Sequence, residues 1–158
     1  MTMIPCIETI HADTVKRLLG IFFDIDGTFT TSGKIRAVAY EALWALKDSG
    51  LRVVPITGRP AGWCDHIARM WPVDGIVGEN GALYFWFDEG ERKLKKRFLD
   101  PEELRAERRQ SLTHIRDEIL AKVPGTAIAS DQLYRETDLA IDYCEDVRPL
   151  DRRTVERI

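Results

Sequence analysis

Cysteine is scarce in this chain: Cys6, Cys64 and Cys144 are the only three in 158 residues. An odd number with no paired or metal-ligand spacing excludes a disulfide framework and points to a reducing, cytoplasmic setting. No apolar stretch approaches membrane-spanning length, and the N-terminus lacks a basic-then-apolar signal pattern, so no membrane partner is expected. A basic excess is missing too. Lys and Arg number 23 against 26 Asp and Glu, a net charge of −3, which argues against a general nucleic-acid binder. There is no internal repeat and no low-complexity segment. What remains, 44% hydrophobic and 31% charged residues, is the composition of a globular protein. The length suffices for one domain with a sizeable core, or one domain and part of a second.

The stretch that organises the chain is Leu18 to Thr28. An apolar run without helical period, closed by acidic residues and a glycine, predicts a buried parallel strand. Side chains alternate along a strand, so Asp24 and Asp26 are expected to leave its end on the same side, with Ile25 opposite. A single Asp there is an ordinary turn or cap residue. Two on one side place paired carboxylates where ligand chemistry sits in open α/β sheets. Gly27 permits a sharp turn and a close backbone approach to a ligand.

Phe29 to Lys34 predicts a turn-rich flap around Ser32-Gly33. Ile35, Val38, Ala39, Ala42, Leu43 and Leu46 follow the i, i+3, i+4 spacing of an amphipathic helix that Gly50 caps. Leu51 to Ile56 is a second strand ending at Thr57-Gly58-Arg59-Pro60, one βαβ unit after Asp24, so Thr57 is expected beside Asp24. Pro60 suits the start of a helix whose free N–H groups favour a phosphate. Arg59 reaches a substrate or faces solvent; the residues leave both open.

That helix buries Trp63, Ile67 and Met70 or Trp71, and ends at Pro72. Gly75 to Gly78 is a third strand, and Asn80-Gly81 a turn. Leu83 to Phe87 and Arg92 to Leu99 form a hairpin whose second arm carries Arg92, Lys93, Lys95, Lys96 and Arg97, charges that guard a sheet edge. Asp100 as N-cap, Pro101 and Glu103 open a long helix with Leu104, Leu112, Ile115, Ile119 and Val123 inward and Arg105, Arg108, Arg109 and His114 in water. Strands are expected at 126–130 and 139–143, and a last helix from Asp151. Residues 1–16 read as a loose leader or a short helix around Asp13 to Lys16.

Asp24-x-Asp26-Gly27-Thr28 behind four apolar residues resembles the first motif of the haloacid dehalogenase-like superfamily, mostly phosphatases and phosphotransferases. Thr57-Gly58-Arg59-Pro60 resembles its second motif. Asn80-Gly81-Ala82 is similar to the branch with a cap inserted after the third strand, which includes sugar-phosphate and phosphoglycolate-type phosphatases and phosphomannomutase. The resemblance implies a Rossmann-like α/β core with a parallel sheet over residues 1–87 and a partial α+β cap over 88–158. It implies Asp24 as the nucleophile that forms an aspartyl-phosphate and Asp26 as general acid and base. Gly27, Thr57 and Gly58 would bind phosphate, Arg59 and Asn80 would contact substrate, and Asp24 and Asp26 would hold Mg²⁺. A carboxylate facing an anionic phosphoryl group needs such a hard cation.

The same resemblance calls for a later lysine and a Gly-Asp-x-x-x-Asp metal site. No Gly-Asp dipeptide occurs, and the 158 residues read as the first half of that architecture. Two functions follow as expectations. One is a Mg²⁺-dependent phosphatase of a small phosphorylated metabolite, sugar phosphates among them, impaired in this truncated chain. The other is a non-catalytic interaction or phosphate-binding protein with the same fold. Either carries an open sheet edge suited to self-association.

Overall fold

The computed structural model describes residues 9–158. Residues 1–8, with Cys6 and most of the leader, lie outside the described residues. In order the elements are α1 (Ala12–Val15), β1 (Gly20–Asp24), β2 (Thr30–Thr31), β3 (Lys34–Ile35), α2 (Ala37–Asp48), β4 (Arg52–Ile56), α3 (Ala61–Met70) and β5 (Ile76–Gly78). They continue with β6 (Leu83–Asp88), β7 (Lys93–Phe98), α4 (Glu102–Lys122), β8 (Ala127–Ile128), β9 (Ile141–Asp142) and α5 (Arg152–Val155).

Five strands form one mixed sheet in the order β1-β4-β5-β6-β7. β1, β4 and β5 run parallel, as the strand–helix–strand spacing predicts, with Asp24 level with Ile56 and Ile56 level with Val77. β6 and β7 join antiparallel as the expected hairpin. Asp88 is the last paired residue of β6, and the hydrogen-bonded sheet runs on through β7 to Phe98.

The two successive crossovers step the same way across the sheet. Right-handed connections therefore put α2 and α3 on one face. The core forms there: Ile25, Ala61, Cys64, Ile67, Ala68, Ile76, Leu83 and Phe85 are buried together. Gly78 has no side chain because α3 leaves no room for one; a Cβ there would stand 2.3 Å from Cys64 Sγ. On the opposite face Phe22 is 69% exposed, and Leu19, at the start of the β1 edge, is 86% exposed.

Several expectations are corrected. α3 buries Ala61, Cys64, Ile67 and Ala68, while Trp63 and Met70 face outward. Small residues let the helix sit close to the sheet, and that close approach chooses the face. Val38 and Trp44 of α2 are exposed and only Leu43 is buried. In α4 the N-cap is Pro101 rather than Asp100, because the Asp100 carboxylate pairs with Arg108 instead. Arg105 does not face water. Its guanidinium lies 3.7 Å from the Phe98 ring centroid and pairs with Glu102, so cation–π contact overrides solvation. Ile115, expected inward, is exposed.

Asp74 ties α2 to the sheet. Its carboxylate meets Lys47 at 2.8 Å and Arg52 at 2.9 Å, and accepts the Val53 N–H at 2.8 Å. Burial alone would raise its pKa, but the Lys47, Val53 and Arg52 contacts outweigh burial and hold it below the usual carboxylate value. A folded pKa below the unfolded one stabilises above the unfolded value, near 4, and that stabilisation disappears as pH falls through the lowered folded value. Asp74→Asn is expected to lose about 1–3 kcal/mol at pH 7. Its acid-unfolding curve should flatten below pH ~4 relative to the parent. Chemical denaturation at pH 7 and pH 3 tests this, and equal losses at both would refute the linkage.

Candidate active site

β1 does not carry both carboxylates. It ends at Asp24, and Ile25–Phe29 form a single wide turn in which Gly27 has φ +75°. Thr30 fastens this turn: its hydroxyl accepts the Gly27 N–H at 3.1 Å and donates to the Ile25 carbonyl at 3.1 Å. The turn sends Asp24 and Asp26 to different partners. Asp24 accepts the Thr28 hydroxyl at 3.0 Å and lines a cavity of about 420 Å³. Asp26 is gripped by Arg59, whose Nε and Nη2 reach its two oxygens at 3.0 and 2.8 Å.

The Asp24 cavity lies over the carboxyl ends of β1 and β4. It gathers Asp24, Thr57, Gly58 and Asn80 with Phe22, Phe23 and Ile56. Of the residues singled out from sequence, these four meet in one place. Gly27, Asp26 and Arg59 are not part of its lining: Gly27 and Asp26 follow Asp24 in the turn, and Arg59 turns toward Asp26 and Trp63. Thr57 is only 2% exposed. Its Oγ1 accepts the Arg59 N–H at 3.0 Å, which leaves the hydroxyl proton to be donated into the cavity. α3 begins immediately after this turn, so its positive end lies near the same spot, with the Ala61 N–H already taken by the Glu79 carboxylate. The guanidinium–carboxylate contact holds the Arg59 pKa above its ordinary value despite some burial.

Gly58 is bare for a local reason. A Cβ there would come within 2.9 Å of the Asn80 side-chain oxygen. Asn80 itself sits at φ +57°, a conformation asparagine tolerates, and its Nδ2 leans toward Asp138 at 3.4 Å. Gly58→Ala is therefore expected to push the Asn80 amide out of the cavity wall and, at the phosphate site that the sequence resemblance implies, to weaken phosphate binding about 10-fold or more. Calorimetric titration with inorganic phosphate measures it, and an unchanged affinity would show that Asn80 does not shape the site.

Sequence reasoning missed Glu79. It is 2% exposed, with φ +45°, and its carboxylate is a hub. Oε1 accepts the Ala61 N–H at 2.9 Å, at the start of α3, and the Glu136 N–H at 2.8 Å. Oε2 accepts the Thr137 N–H at 2.7 Å, the Asp138 N–H at 3.2 Å and the Thr137 hydroxyl. Glu79 thus pins the 136–138 segment to the start of α3. Arg135 completes the joint by donating to the Gly58 carbonyl at 3.1 Å while paired with Asp131 and Asp138. Burial raises the Asp138 pKa even with Arg135 beside it. The available signal was an acidic residue closing a short apolar strand immediately before the Asn80-Gly81 turn.

Cys64 packs under this joint. Burial, reinforced by the Glu79 charge, pushes its thiol up to about 12, so it is a packing residue rather than a nucleophile. Among the described residues no group of three or more His, Cys, Asp and Glu is placed to hold a metal. No helix among them is long and apolar enough to cross a membrane.

Comparison with known proteins adds three findings. The family model of the haloacid dehalogenase-like hydrolases matches residues 21–119. A phosphoglycolate phosphatase of Methanoculleus marisnigri is 38% identical over 63 residues, 39% of this chain and 27% of that protein. One from Pyrobaculum islandicum is 43% identical over 63 residues, 38% of this chain and 28% of that protein. The solved structure of Thermoplasma acidophilum 0175 superposes with a TM-score of 0.63 at 20% identity, covering 86% of this chain and 52% of that one. At that identity the likeness is one of fold. The chain matches under a third of the length of these curated relatives and about half of that structure.

Proposed function

The chain belongs to the haloacid dehalogenase-like hydrolases, and on that basis we propose that Asp24 and its neighbours form a phosphoryl-transfer site of a phosphatase acting on a small phosphorylated metabolite. The observation that carries this is the meeting of Asp24, Thr57 and Gly58 in one cavity beside the start of α3. A phosphoryl group there finds a carboxylate nucleophile, a hydroxyl donor and the positive end of α3. The names of the two relatives bring a phosphorylated hydroxy acid into the candidate class alongside sugar phosphates. In this reading residues 9–87, together with the second arm of the hairpin, form the first part of the core. The segment beyond is part of a cap.

In this reading a carboxylate oxygen of Asp24 attacks phosphorus and the phosphorus–oxygen bond to the alcohol breaks. The departing oxygen takes a proton from Asp26. A water then attacks the aspartyl-phosphate, gives its proton to Asp26, and releases inorganic phosphate with Asp24 restored. Both oxygens of Asp26 are held by Arg59, so that ion pair has to open before Asp26 carries a proton. Gly27 lets the turn approach the phosphate, and Asn80 borders the substrate. The donor set fits Mg²⁺: the exposed Asp24 carboxylate and the Asp26 main-chain carbonyl are hard oxygens, and Mg²⁺ takes one or two carboxylates alongside phosphate and water. When bound, the cation offsets the repulsion between carboxylate and phosphoryl group. The scarcity of cysteine goes with a cytoplasmic setting.

Inorganic phosphate titrated with Mg²⁺ is expected to shift the amide resonances of Thr57, Gly58 and Arg59, and EDTA to reverse the shift. Amides that stay fixed would sink the reading. The bare β1 edge, with Leu19 and Phe22 uncovered, favours an accompanying role in self-association. Sedimentation of the chain should give a mass above the 18.1 kDa of a monomer, and a Leu19→Lys variant should return it to that mass.

A further inference from the structure

Arg135 is outside the lining of the Asp24 cavity, yet it holds one of the residues that form the wall, Gly58. It follows the short turn Gln132–Tyr134, and its side chain is only 9% exposed. Nε and Nη2 bind the two oxygens of Asp131, each at 3.1 Å, and Nη1 meets Asp138 at 2.9 Å. Carboxylates on two edges fix the plane of the guanidinium. Its Nη1 is therefore aimed, and the aim falls on the Gly58 carbonyl at 3.1 Å.

That carbonyl shares one peptide group with the Arg59 N–H. A peptide group is planar, and no cis bond occurs among the described residues, so its C=O and N–H point in opposite directions. Holding one end directs the other. The Arg59 N–H goes to Thr57 Oγ1 at 3.0 Å. A hydroxyl has one proton and two lone pairs, so an oxygen that accepts this N–H sends its own proton elsewhere, and Thr57 lines the cavity. Gly58 makes an outside restraint necessary, because without a Cβ the peptide beside it rotates at little cost. The carbonyls on either side accept backbone N–H groups, Thr57 from Asn80 at 3.2 Å and Arg59 from Glu79 at 3.1 Å. That of Gly58 is held by Arg135. The same guanidinium reaches a second wall residue through Asp138, which accepts from Asn80 Nδ2 at 3.4 Å.

We propose that Arg135 is a positioning residue for the phosphate site: its hold on the Gly58 carbonyl sets the 58–59 peptide so that Thr57 donates its hydroxyl proton into the Asp24 cavity. The proposal rests on the phosphoryl-transfer reading of that cavity and deepens it, giving a role to a residue that does not line it.

A double-mutant cycle of Arg135→Gln and Thr57→Val tests it, with inorganic phosphate and Mg²⁺ titrated and the amides of residues 57–59 followed. Arg135→Gln alone should weaken phosphate about 3- to 10-fold. Before any ligand is added, it should also shift the Gly58 carbonyl carbon and the Arg59 amide proton. With Thr57→Val in place, the same change should alter affinity less than about 2-fold, because the hydroxyl through which Arg135 acts has gone. Arg135→Gln strands Asp131 and Asp138, so Arg135→Gln/Asp131→Asn repeats the cycle with net charge kept, and the β4 and β5 amides report the fold. Equal weakening with and without the Thr57 hydroxyl would assign Arg135 to stability alone and overturn the proposal, as would loss of the fold in both Arg135 variants. An affinity that Arg135→Gln leaves unchanged, while Thr57 responds to phosphate, would overturn it and leave the phosphate site standing. If phosphate moves neither Thr57 nor Gly58 in the parent chain, the phosphoryl-transfer reading falls and the proposal falls with it.

Discussion

Asp24→Asn is expected to abolish hydrolysis of an aryl phosphate, with a loss above about 10³-fold, in a chain that joins these residues to the lysine and second acidic pair the resemblance calls for. The amide keeps the shape of the side chain and its contact with Thr28, so the fold and the cavity should persist. What disappears is the anionic oxygen that attacks phosphorus in the proposed mechanism. Asp26→Asn should be severely slowed rather than silent, because aspartyl-phosphate can still form with a good leaving group such as a nitrophenolate. Its second step, water attack, loses its base. Single-turnover kinetics separates the two variants: Asp26→Asn should accumulate phosphorylated protein, and Asp24→Asn none. Near-parental turnover in Asp24→Asn would refute the covalent route.

Glu79→Ala should cost about 3–5 kcal/mol of stability, the largest loss expected from any single side chain near the site. The four backbone N–H groups it serves, at Ala61, Glu136, Thr137 and Asp138, would lose their acceptor. Methyl burial cannot offset that many desolvated donors. The melting temperature should fall by roughly 10 °C for a chain of this size. Thr137→Val provides a milder companion, since it removes only the hydroxyl bond to Glu79. In both, hydrogen exchange at residues 136–138 should accelerate ahead of the β4 and β5 amides. A uniform rise across the chain would show that Glu79 supports global stability without acting as a local latch.

Much of this architecture was legible in local pattern. The parallel arrangement of β1, β4 and β5 follows from two apolar strands a βαβ length apart, because a chain of that length returns only by a right-handed crossover. The hairpin of β6 and β7 follows from its turn and its alternation. Asp24, Thr57 and Gly58 share a cavity because all three close parallel strands at the same end of one sheet, and that proximity was readable from spacing alone. The buried side of α3 was legible only in part: Ile67 is buried and Trp71 packs on the core as expected, whereas Trp63 and Met70 face outward. Trp63 and Met70 carry more apolar surface than Ala61 or Ala68, yet close packing of helix on sheet selected the small residues.

The sequence by itself determined which strands pair and where their ends lie, since these depend on period, length and turn chemistry within about thirty residues. Tertiary structure alone decided how charges are matched. Asp26 meets Arg59 across 33 positions of sequence, and Glu79 holds Thr137 across 58. Arg135 reaches the Gly58 carbonyl across 77. No local preference encodes such contacts. A buried carboxylate is tolerated only where distant N–H groups converge on it, and a guanidinium chooses among several carboxylates by which one the fold places within 3 Å.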